Sequence, residues 1–446
     1  MRVPAAPEPD TPVAEKRPED AEGFVGVLRR ADFRMLWAAQ VSSQLADKFL
    51  MFTLLVLVYS LSGRSTGSSL LMVAYTLPSV VLSAPAGVYA DRHDKRSLLL
   101  GTNVLRGGLI LLIPLSQHLP YIQDRAWPLL VITLLFSAVG QVFAPAEAAS
   151  LPFLVRREQI MTATSLFMTT TILSLVVGVP LATICVRVIG QTAPFYIATA
   201  LFAAASVCIW RVNTSLRAAA RAHVPQRHIV RELQEGLIIL GGHPTLRIAM
   251  GQLTFAVTVV FTMFALGPAY MSRMLGHPPT DTYLVLIPLT AGLVGSALLL
   301  GRATHRPPSR SRMAVWSTVS AGAALLALGL LPDTLRQSGA HLFAIPSAMV
   351  LAAGFGWSLG AMLIPAVTVL QERTDEATRG RIFGGIFTVI NAAVAVPLVL
   401  AGGLADGFGV ARVVTVLGGA LFLAGVAGGV LFRDRLRVLD VAATEY

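Results

Sequence analysis

The sequence is poor in charged residues and has almost no cysteine. Only 13% of its 446 residues are charged, about half of the ~25% that is usual in soluble domains. The two cysteines, Cys185 and Cys208, both lie in apolar runs, which argues against a structural disulfide. Hydrophobic residues, by contrast, reach 54%, and the mean hydropathy is +0.68. This balance excludes a soluble globular protein and indicates a polytopic membrane protein.

Sequence patterns typical of enzymes are also missing. We find no phosphate-binding glycine loop, no zinc-ligand spacing and no Ser/His/Asp arrangement. The sequence therefore predicts neither an enzyme nor a cofactor or metal site. The start of the chain is rich in Pro, Glu and Asp and lacks the apolar segment of a signal peptide. We predict that residues 1–33 are a disordered cytoplasmic tail.

Twelve apolar runs are long enough to cross a bilayer as helices. A hydrocarbon core of about 30 Å requires about 20 helical residues. The sequence thus predicts an all-α membrane protein with twelve transmembrane helices. The predicted spans are 34–61, 66–90, 97–117, 128–150, 162–189, 192–211, 246–272, 281–302, 312–332, 341–371, 381–404 and 408–432.

Arginines are concentrated in alternate loops between these runs. Loops on one side carry several basic residues, as in Arg92, Lys95 and Arg96, whereas loops on the other side carry single arginines such as Arg64 and Arg125. Cytoplasmic loops of membrane proteins carry the excess of Lys and Arg. We therefore predict a cell (inner) membrane protein with both termini in the cytoplasm. The net charge of +11 then reflects topology rather than a nucleic-acid partner.

The longest polar gap divides the chain into two sets of six spans. Transporters often contain two related halves, so we compared the two sets. Four matches occur in the same order in both halves: Gln40 with Gln252, Gly87-x-x-x-Asp91-Arg92-x-x-x-Arg96 with Gly301-x-x-x-His305-Arg306-x-x-x-Arg310, Pro145-Ala146 with Pro365-Ala366, and Phe167 with Phe387. We predict six-helix bundles over 34–211 and 246–432, a cytoplasmic linker over 212–245, and a cytoplasmic tail over 433–446.

A dense block of charge separates the second and third spans. It reads Gly87-x-x-x-Asp91-Arg92-x-x-Lys95-Arg96, with Asp94 inside it. The glycine permits close helix contact, and the first aspartate stands where a helix ends. One interpretation is an ordinary charged loop. The spacing, however, resembles the loop between helices two and three of the major facilitator superfamily, in particular its drug and siderophore exporters, which include macrolide-efflux and enterobactin-exporter-like proteins. The resemblance implies two six-helix halves, alternating access and a gating role for this loop.

Polar residues follow one face of the first span. Their spacing of i, i+3, i+4 and i+7 places them together on a helix: Gln40, Ser43, Gln44 and Asp47. Such a stripe faces water or other protein rather than lipid. It is either a structural hydrogen-bonding seam or the wall of a cavity with a protonatable carboxylate at Asp47. The resemblance favours the cavity, because first helices line the central cavity of that superfamily.

Three further ionisable residues of the predicted spans bear on this site. Lys48 follows Asp47 in the first span, where it either pairs with an acidic group or extends to the membrane surface, and the sequence does not place it. Arg106 is about nine residues into the third span, where it either pairs with Asp47 or extends to the membrane surface. Glu147 lies near the cytoplasmic end of the fourth span, and the resemblance implies that it meets Lys95. We assign Asp47, Arg106 and Glu147 to proton coupling.

The second half offers candidate cavity residues without charge. The seventh span places Gln252, Phe255, Thr258 and Thr262 on one face, and the tenth contains Trp357 and Met362. For the last two, ordinary core packing is the alternative to a place in the substrate cavity.

Two departures from the superfamily bear on proton coupling. Proton antiporters of this kind often have an arginine four residues before a glycine in the fourth span, and here Phe136 precedes Gly140. Their Gly-x-x-x-Gly-Pro pattern in the fifth span is reduced to Gly178-Val179-Pro180.

Together these features predict a secondary active, proton-coupled exporter of an amphipathic or hydrophobic small molecule, such as a drug, siderophore or natural product. We expect a monomer in the lipid bilayer. A lysophospholipid flippase-type transporter shares the loop motif and is one alternative. A non-transporting scaffold or sensor is another, although a carboxylate at the bilayer midplane argues against it because of its energetic cost.

Overall fold

The computed structural model describes residues 23–116, 118, 125–216, 244–302, 310–372 and 376–431. These ranges contain twelve helices long and apolar enough to cross a membrane, as the sequence predicted. Their bounds are α1 Ala31–Ser62, α2 Ser65–Arg92, α3 Lys95–Ser116, α4 Trp127–Leu154, α5 Ile160–Ile189, α6 Ala193–Trp210, α7 Pro244–Ala269, α8 Tyr283–Arg302, α9 Arg310–Gln337, α10 His341–Glu372, α11 Glu376–Phe408 and α12 Val410–Leu431.

Glycine and proline explain where two of these helices end. Helix α1 stops at Gly63, whose φ of 62° is left-handed and whose N–H donates to the carbonyl of Tyr59. Helix α7 contains Pro268, and it continues as a wider π-helical turn over Tyr270–Leu275. Proline lacks the N–H needed for the regular ladder, which favours a local change of register.

The chain before α1 differs from its prediction. Residues 23–33 were assigned to a disordered tail, but Gly23–Leu28 form a short helix and α1 already begins at Ala31. Val27 is buried in an apolar cluster with Phe33 and Leu154. This burial explains why the segment is folded. Residues 1–22, most of the predicted linker and the tail over 433–446 lie outside the described residues.

The helices pack as two bundles. In the first, α1 packs on α5 and α6, α2 on α4, and α3 on α4 and α6; in the second, α9 packs on α10 and α12, and α8 on α10. Small residues allow the closest approaches. A Cβ atom added to Gly356 of α10 would lie 1.9 Å from the carbonyl oxygen of Leu289 in α8. Glycine at this crossing is therefore required by the backbone separation.

The two bundles contact each other mainly through α2 with α11, and to a smaller extent through α2 with α7 and α5 with α8. We call the membrane side at which α1 begins the proximal face and the opposite side the distal face. The polar contacts between the halves described below lie at the distal face. The loop that matches the Gly87–Arg96 motif in the second half, around residues 301–310, lies outside the described side chains.

Candidate functional site

A buried ionic cluster lies about halfway along α1. The guanidinium of Arg106 in α3 donates to Asp47 Oδ1 over 2.6 Å, and the ammonium of Lys48 donates to Asp47 Oδ2 over 3.1 Å. The hydroxyl of Tyr75 in α2 donates to the same Oδ2 over 2.5 Å. The side chains of Asp47 and Arg106 are each 9% exposed. Three helices of the first half therefore meet at one carboxylate.

Aromatic rings enclose the arginine of this cluster. The guanidinium carbon of Arg106 lies 4.1 Å from the ring centre of Phe136 and 4.8 Å from that of Phe202. Cation–π contact stabilises the charge where water is excluded. Gly140 lies directly beside the guanidinium, because a Cβ atom there would be in van der Waals contact with its central carbon, at 3.5 Å. The hydroxyl of Ser137 donates to the carbonyl of Tyr75 and joins α4 to the cluster.

Of the two alternatives for Arg106, the structure has the ion pair and not the extension to the surface. The pair is buried between α1 and α3. Asp47 thus faces the inside of the first bundle. Its role in proton coupling stays a prediction.

The other polar residues of α1 contact neighbouring helices. Gln40 is buried, and its amide donates to the carbonyl of Phe167 in α5 over 3.2 Å. Ser43 is buried and donates to the carbonyl of Gln40, whereas Gln44 is half-buried. In this conformation Gln40 and Ser43 fit the hydrogen-bonding seam better than an open cavity wall.

The predicted cavity residues of α7 differ in what their side chains contact. The amide of Gln252 donates to the carbonyl of Ala314 in α9 over 3.0 Å, and Phe255 is partly buried against the apolar core. Thr258 and Thr262 are buried, and the hydroxyl of Thr262 has no partner among the described residues. At Gln252, therefore, this face of α7 packs against α9 inside the second bundle.

The two candidate cavity residues in α10 differ in exposure. Trp357 is 42% exposed, and its ring packs against Gly295 of α8. Met362 is 1% exposed, and its sulfur accepts from the hydroxyl of Thr318 in α9. Met362 therefore belongs to the core of the second bundle, the packing alternative, and does not line an open cavity here.

Glu147 does not meet Lys95. The ammonium of Lys95 donates to the backbone carbonyls of Asp91 and His93, over 2.9 and 3.1 Å, at the end of α2. Glu147 is 7% exposed, and its Oε1 has no hydrogen-bond partner among the described residues. The predicted Lys95–Glu147 pair is wrong for this conformation, because the Lys95 ammonium is bound to the two backbone carbonyls instead.

The charged loop forms the tight turn expected between α2 and α3 at the proximal face. Asp91 and Arg92 are exposed, Gly87 is half-buried, and Arg96 donates to the carbonyl of Trp210 at the end of α6. The carboxylate of Asp91 is thus open to solvent. Its predicted gating role stays a prediction.

An apolar cavity of about 50 Å³ lies inside the second bundle. Its lining includes Met263, Tyr270, Leu289 and Phe355, none of which the sequence singled out. Drug-sized ligands need several hundred Å³. This cavity is therefore too small to hold one in the present conformation.

Sequence reasoning missed Tyr75 and Phe202 and could not place Lys48. All three lie within apolar runs, and the local sequence pattern does not show which residues of such a run contact a buried ion. The phenol within α2 was the one available signal, because a buried tyrosine hydroxyl requires a partner.

Comparisons with known proteins agree with this architecture. A sequence profile of the Major Facilitator Superfamily matches residues 36–359. Macrolide efflux protein A of Streptococcus pyogenes is 23% identical over 85% of this chain and 90% of its own, and multidrug efflux pump Tap of Mycolicibacterium fortuitum is 25% identical over 87% and 92%. The crystal structure of an auto-inhibited POT family peptide transporter superposes with a TM-score of 0.68 at 12% identity, covering 90% of this chain and 96% of that one. That similarity concerns the fold alone. The chain is thus a membrane transporter rather than an enzyme, and it belongs to the major facilitator superfamily.

Proposed function

We propose that this transporter is a proton-coupled exporter of amphipathic or hydrophobic small molecules. It works as a monomer by alternating access, in the cell membrane, with the proximal face in the cytoplasm. The observation that carries the proposal is the buried cluster of Asp47, Arg106, Lys48 and Tyr75. A charge at the bilayer centre costs at least ~2.5 kcal/mol on insertion scales, so its presence calls for a function.

The named relatives support the substrate class and the direction of transport. They are a macrolide efflux protein and a multidrug efflux pump, and each aligns with most of this chain. Macrolides and many other exported drugs are large, mainly apolar molecules with a few polar groups. The arginine-rich loops at the proximal face support its cytoplasmic location.

Protonation of Asp47 would couple the proton to movement. It would remove the negative charge that Arg106 contacts at 2.6 Å and leave a buried cation without its counterion. The stable response is a shift of α1 relative to α3. Tyr75 passes this change to α2, which packs against α11 of the other half. A proton at Asp47 therefore alters the helix that joins the two bundles.

Glu147 is, with Asp47, the second buried carboxyl among the described residues of the first bundle and a second candidate proton carrier. Its Oε1 has no hydrogen-bond partner in the part of the chain that the structure describes, so proton binding there would break no described ion pair. A proton bound at Glu147 neutralises an unpaired buried charge, which favours proton uptake at this residue. This uptake requires no rearrangement of the Asp47 cluster.

The test uses purified protein in liposomes containing a pH-sensitive dye. Each proton that moves inward supplies ~1.36 kcal/mol per pH unit, enough for about tenfold accumulation of substrate. We expect compounds from a panel that includes macrolides to cause proton flux, and their uphill transport to stop when the pH gradient is collapsed. Asp47→Asn should lose both while downhill exchange survives. If no compound moves protons, and uphill transport persists without a gradient, proton coupling is wrong.

A further inference from the structure

Helix α2 begins without a cap from its own half of the protein. The residue before it, Arg64, forms no side-chain bond to the first N–H groups of the helix. These groups instead donate to Asp406 near the end of α11: Ser65 N to Oδ1 over 2.7 Å, and Thr66 N and Oγ1 to Oδ2 over 2.9 and 2.6 Å. A carboxylate at this position satisfies orphan donors and the positive end of the helix dipole. The second half thus caps a helix of the first.

Arg273, in the π-helical turn after α7, also binds Asp406. Its guanidinium donates to Asp406 Oδ1 over 3.0 Å and to the carbonyl of Gly63 over 2.6 Å. That carbonyl belongs to the residue that ends α1. Arg273 therefore connects Asp406 to the turn between α1 and α2.

Close packing continues immediately below this cap. Ser65 and Ser69 of α2 are fully buried. A Cβ atom added to Gly402 of α11 would lie 2.3 Å from the hydroxyl oxygen of Ser69. No space for water or substrate exists between α2 and α11 here, so the two halves are closed together at this part of the distal face.

We propose that Asp406 and Arg273 form a latch that holds the distal face closed. Opening that face requires α2 to leave α11, which uncaps α2 and separates Arg273 from either Asp406 or Gly63. Water then solvates the freed groups, so the latch sets the equilibrium without preventing opening. The inference rests on the proposed function only in assuming alternating access; it needs neither a proton nor a particular substrate.

The test measures how fast a buried cysteine becomes accessible from the distal side. Ser69→Cys is introduced after Cys185→Ala and Cys208→Ala, and the rate of labelling by an impermeant maleimide is recorded in intact cells. We expect Asp406→Ala to raise the rate about tenfold, in line with the loss of a helix cap and its ion pair. Asp406→Asn keeps a capping side chain and should have a smaller effect. Arg273→Gln keeps the cap and should also raise the rate.

Asp333 provides a matched control at the same face. It lies near the end of α9 and accepts from Gln337 of its own helix over 3.0 Å, so Asp333→Asn should leave the labelling rate unchanged. Size-exclusion chromatography checks that each variant is folded. If Asp406→Ala aggregates, the labelling rates of Asp406→Asn and Arg273→Gln test the latch. Folded Asp406 and Arg273 variants that label at the parental rate would overturn the latch. Labelling uses no substrate or pH gradient, so failure of proton coupling would leave this result standing.

Discussion

The guanidinium of Arg106 lies between the carboxylate of Asp47, at 2.6 Å, and the ring of Phe136, at 4.1 Å. Phe136 stands where the superfamily's proton antiporters often have an arginine. In this protein an arginine side chain reaches the space beside Gly140 from α3 instead of α4. The arginine that the fourth span lacks in sequence therefore has a counterpart at the same place, supplied by α3.

Breaking the central pair should destabilise the protein. Asp47→Asn leaves Arg106 buried without a counterion, and we expect a loss of about 3 kcal/mol in the free energy of unfolding. The double variant Asp47→Asn, Arg106→Gln should recover most of it, because the buried guanidinium is gone and only Lys48, whose side chain is 14% exposed, remains without the carboxylate. Thermal unfolding in detergent measures both. A double variant as unstable as the sum of the single ones would contradict the pairing.

Moving the arginine from α3 to α4 tests whether export depends on the location of the guanidinium or on the helix that carries it. Arg106→Leu should abolish uphill export. Adding Phe136→Arg should restore part of it, because position 136 is about one helical turn from Gly140 and its ring already contacts the guanidinium that binds Asp47. Transport by the two variants in liposomes under a pH gradient gives the comparison. Phe136→Leu in the Arg106→Leu background controls for loss of the ring, and recovery there would contradict a role for the charge.

Gly178 should be intolerant of a side chain. A Cβ atom there would lie 2.9 Å from Cβ of Lys48 and 3.1 Å from Leu45, so Gly178→Ala must push α5 away from α1. We expect a cost of about 1–3 kcal/mol, typical of overpacking. Gly108→Ala in α3 is the matched control, because nothing lies within 4 Å of its added Cβ. It should be neutral or slightly stabilising. Equal thermal stability of the two variants would show that the α1–α5 contact is not tight.

Glu147 and Lys95 should behave as independent residues. Lys95→Gln removes donors from the last carbonyls of α2 and should destabilise by about 0.5–1 kcal/mol. Glu147→Gln breaks no described hydrogen bond at Oε1 and should leave stability nearly unchanged. Their effects should therefore add. A coupling energy above about 1 kcal/mol in the double-mutant cycle would restore the pair that the sequence led us to expect.

Cysteine labelling also tests the orientation of the protein in the membrane. Ser338 is exposed at the distal face, and Ser215 is exposed at the proximal face after α6. In intact cells, with native cysteines replaced, Ser338→Cys should react with an impermeant reagent. Ser215→Cys should react only after permeabilisation. The opposite pattern would place the proximal face outside the cell.

The sequence by itself determined the class of fold. Hydropathy is a local property and bilayer thickness sets the length of each run, so all twelve spans agree with the helices. Charge also identified the right residues at the centre: Asp47 and Arg106 stood out because ions in apolar runs are costly. Their depth along each helix was readable from the sequence, which is why their pairing was one of two alternatives.

Only the tertiary structure decided which faces meet. Depth along a helix says nothing of the direction in which a side chain points, and that direction depends on packing between distant segments. Hence the fold brings Tyr75 to Asp47 and turns Lys95 away from Glu147. The same reason applies to the contact of Asp406 with Thr66, which are 340 residues apart in the chain. A carboxylate at the end of α11 becomes the cap of α2 only after the two halves have come together.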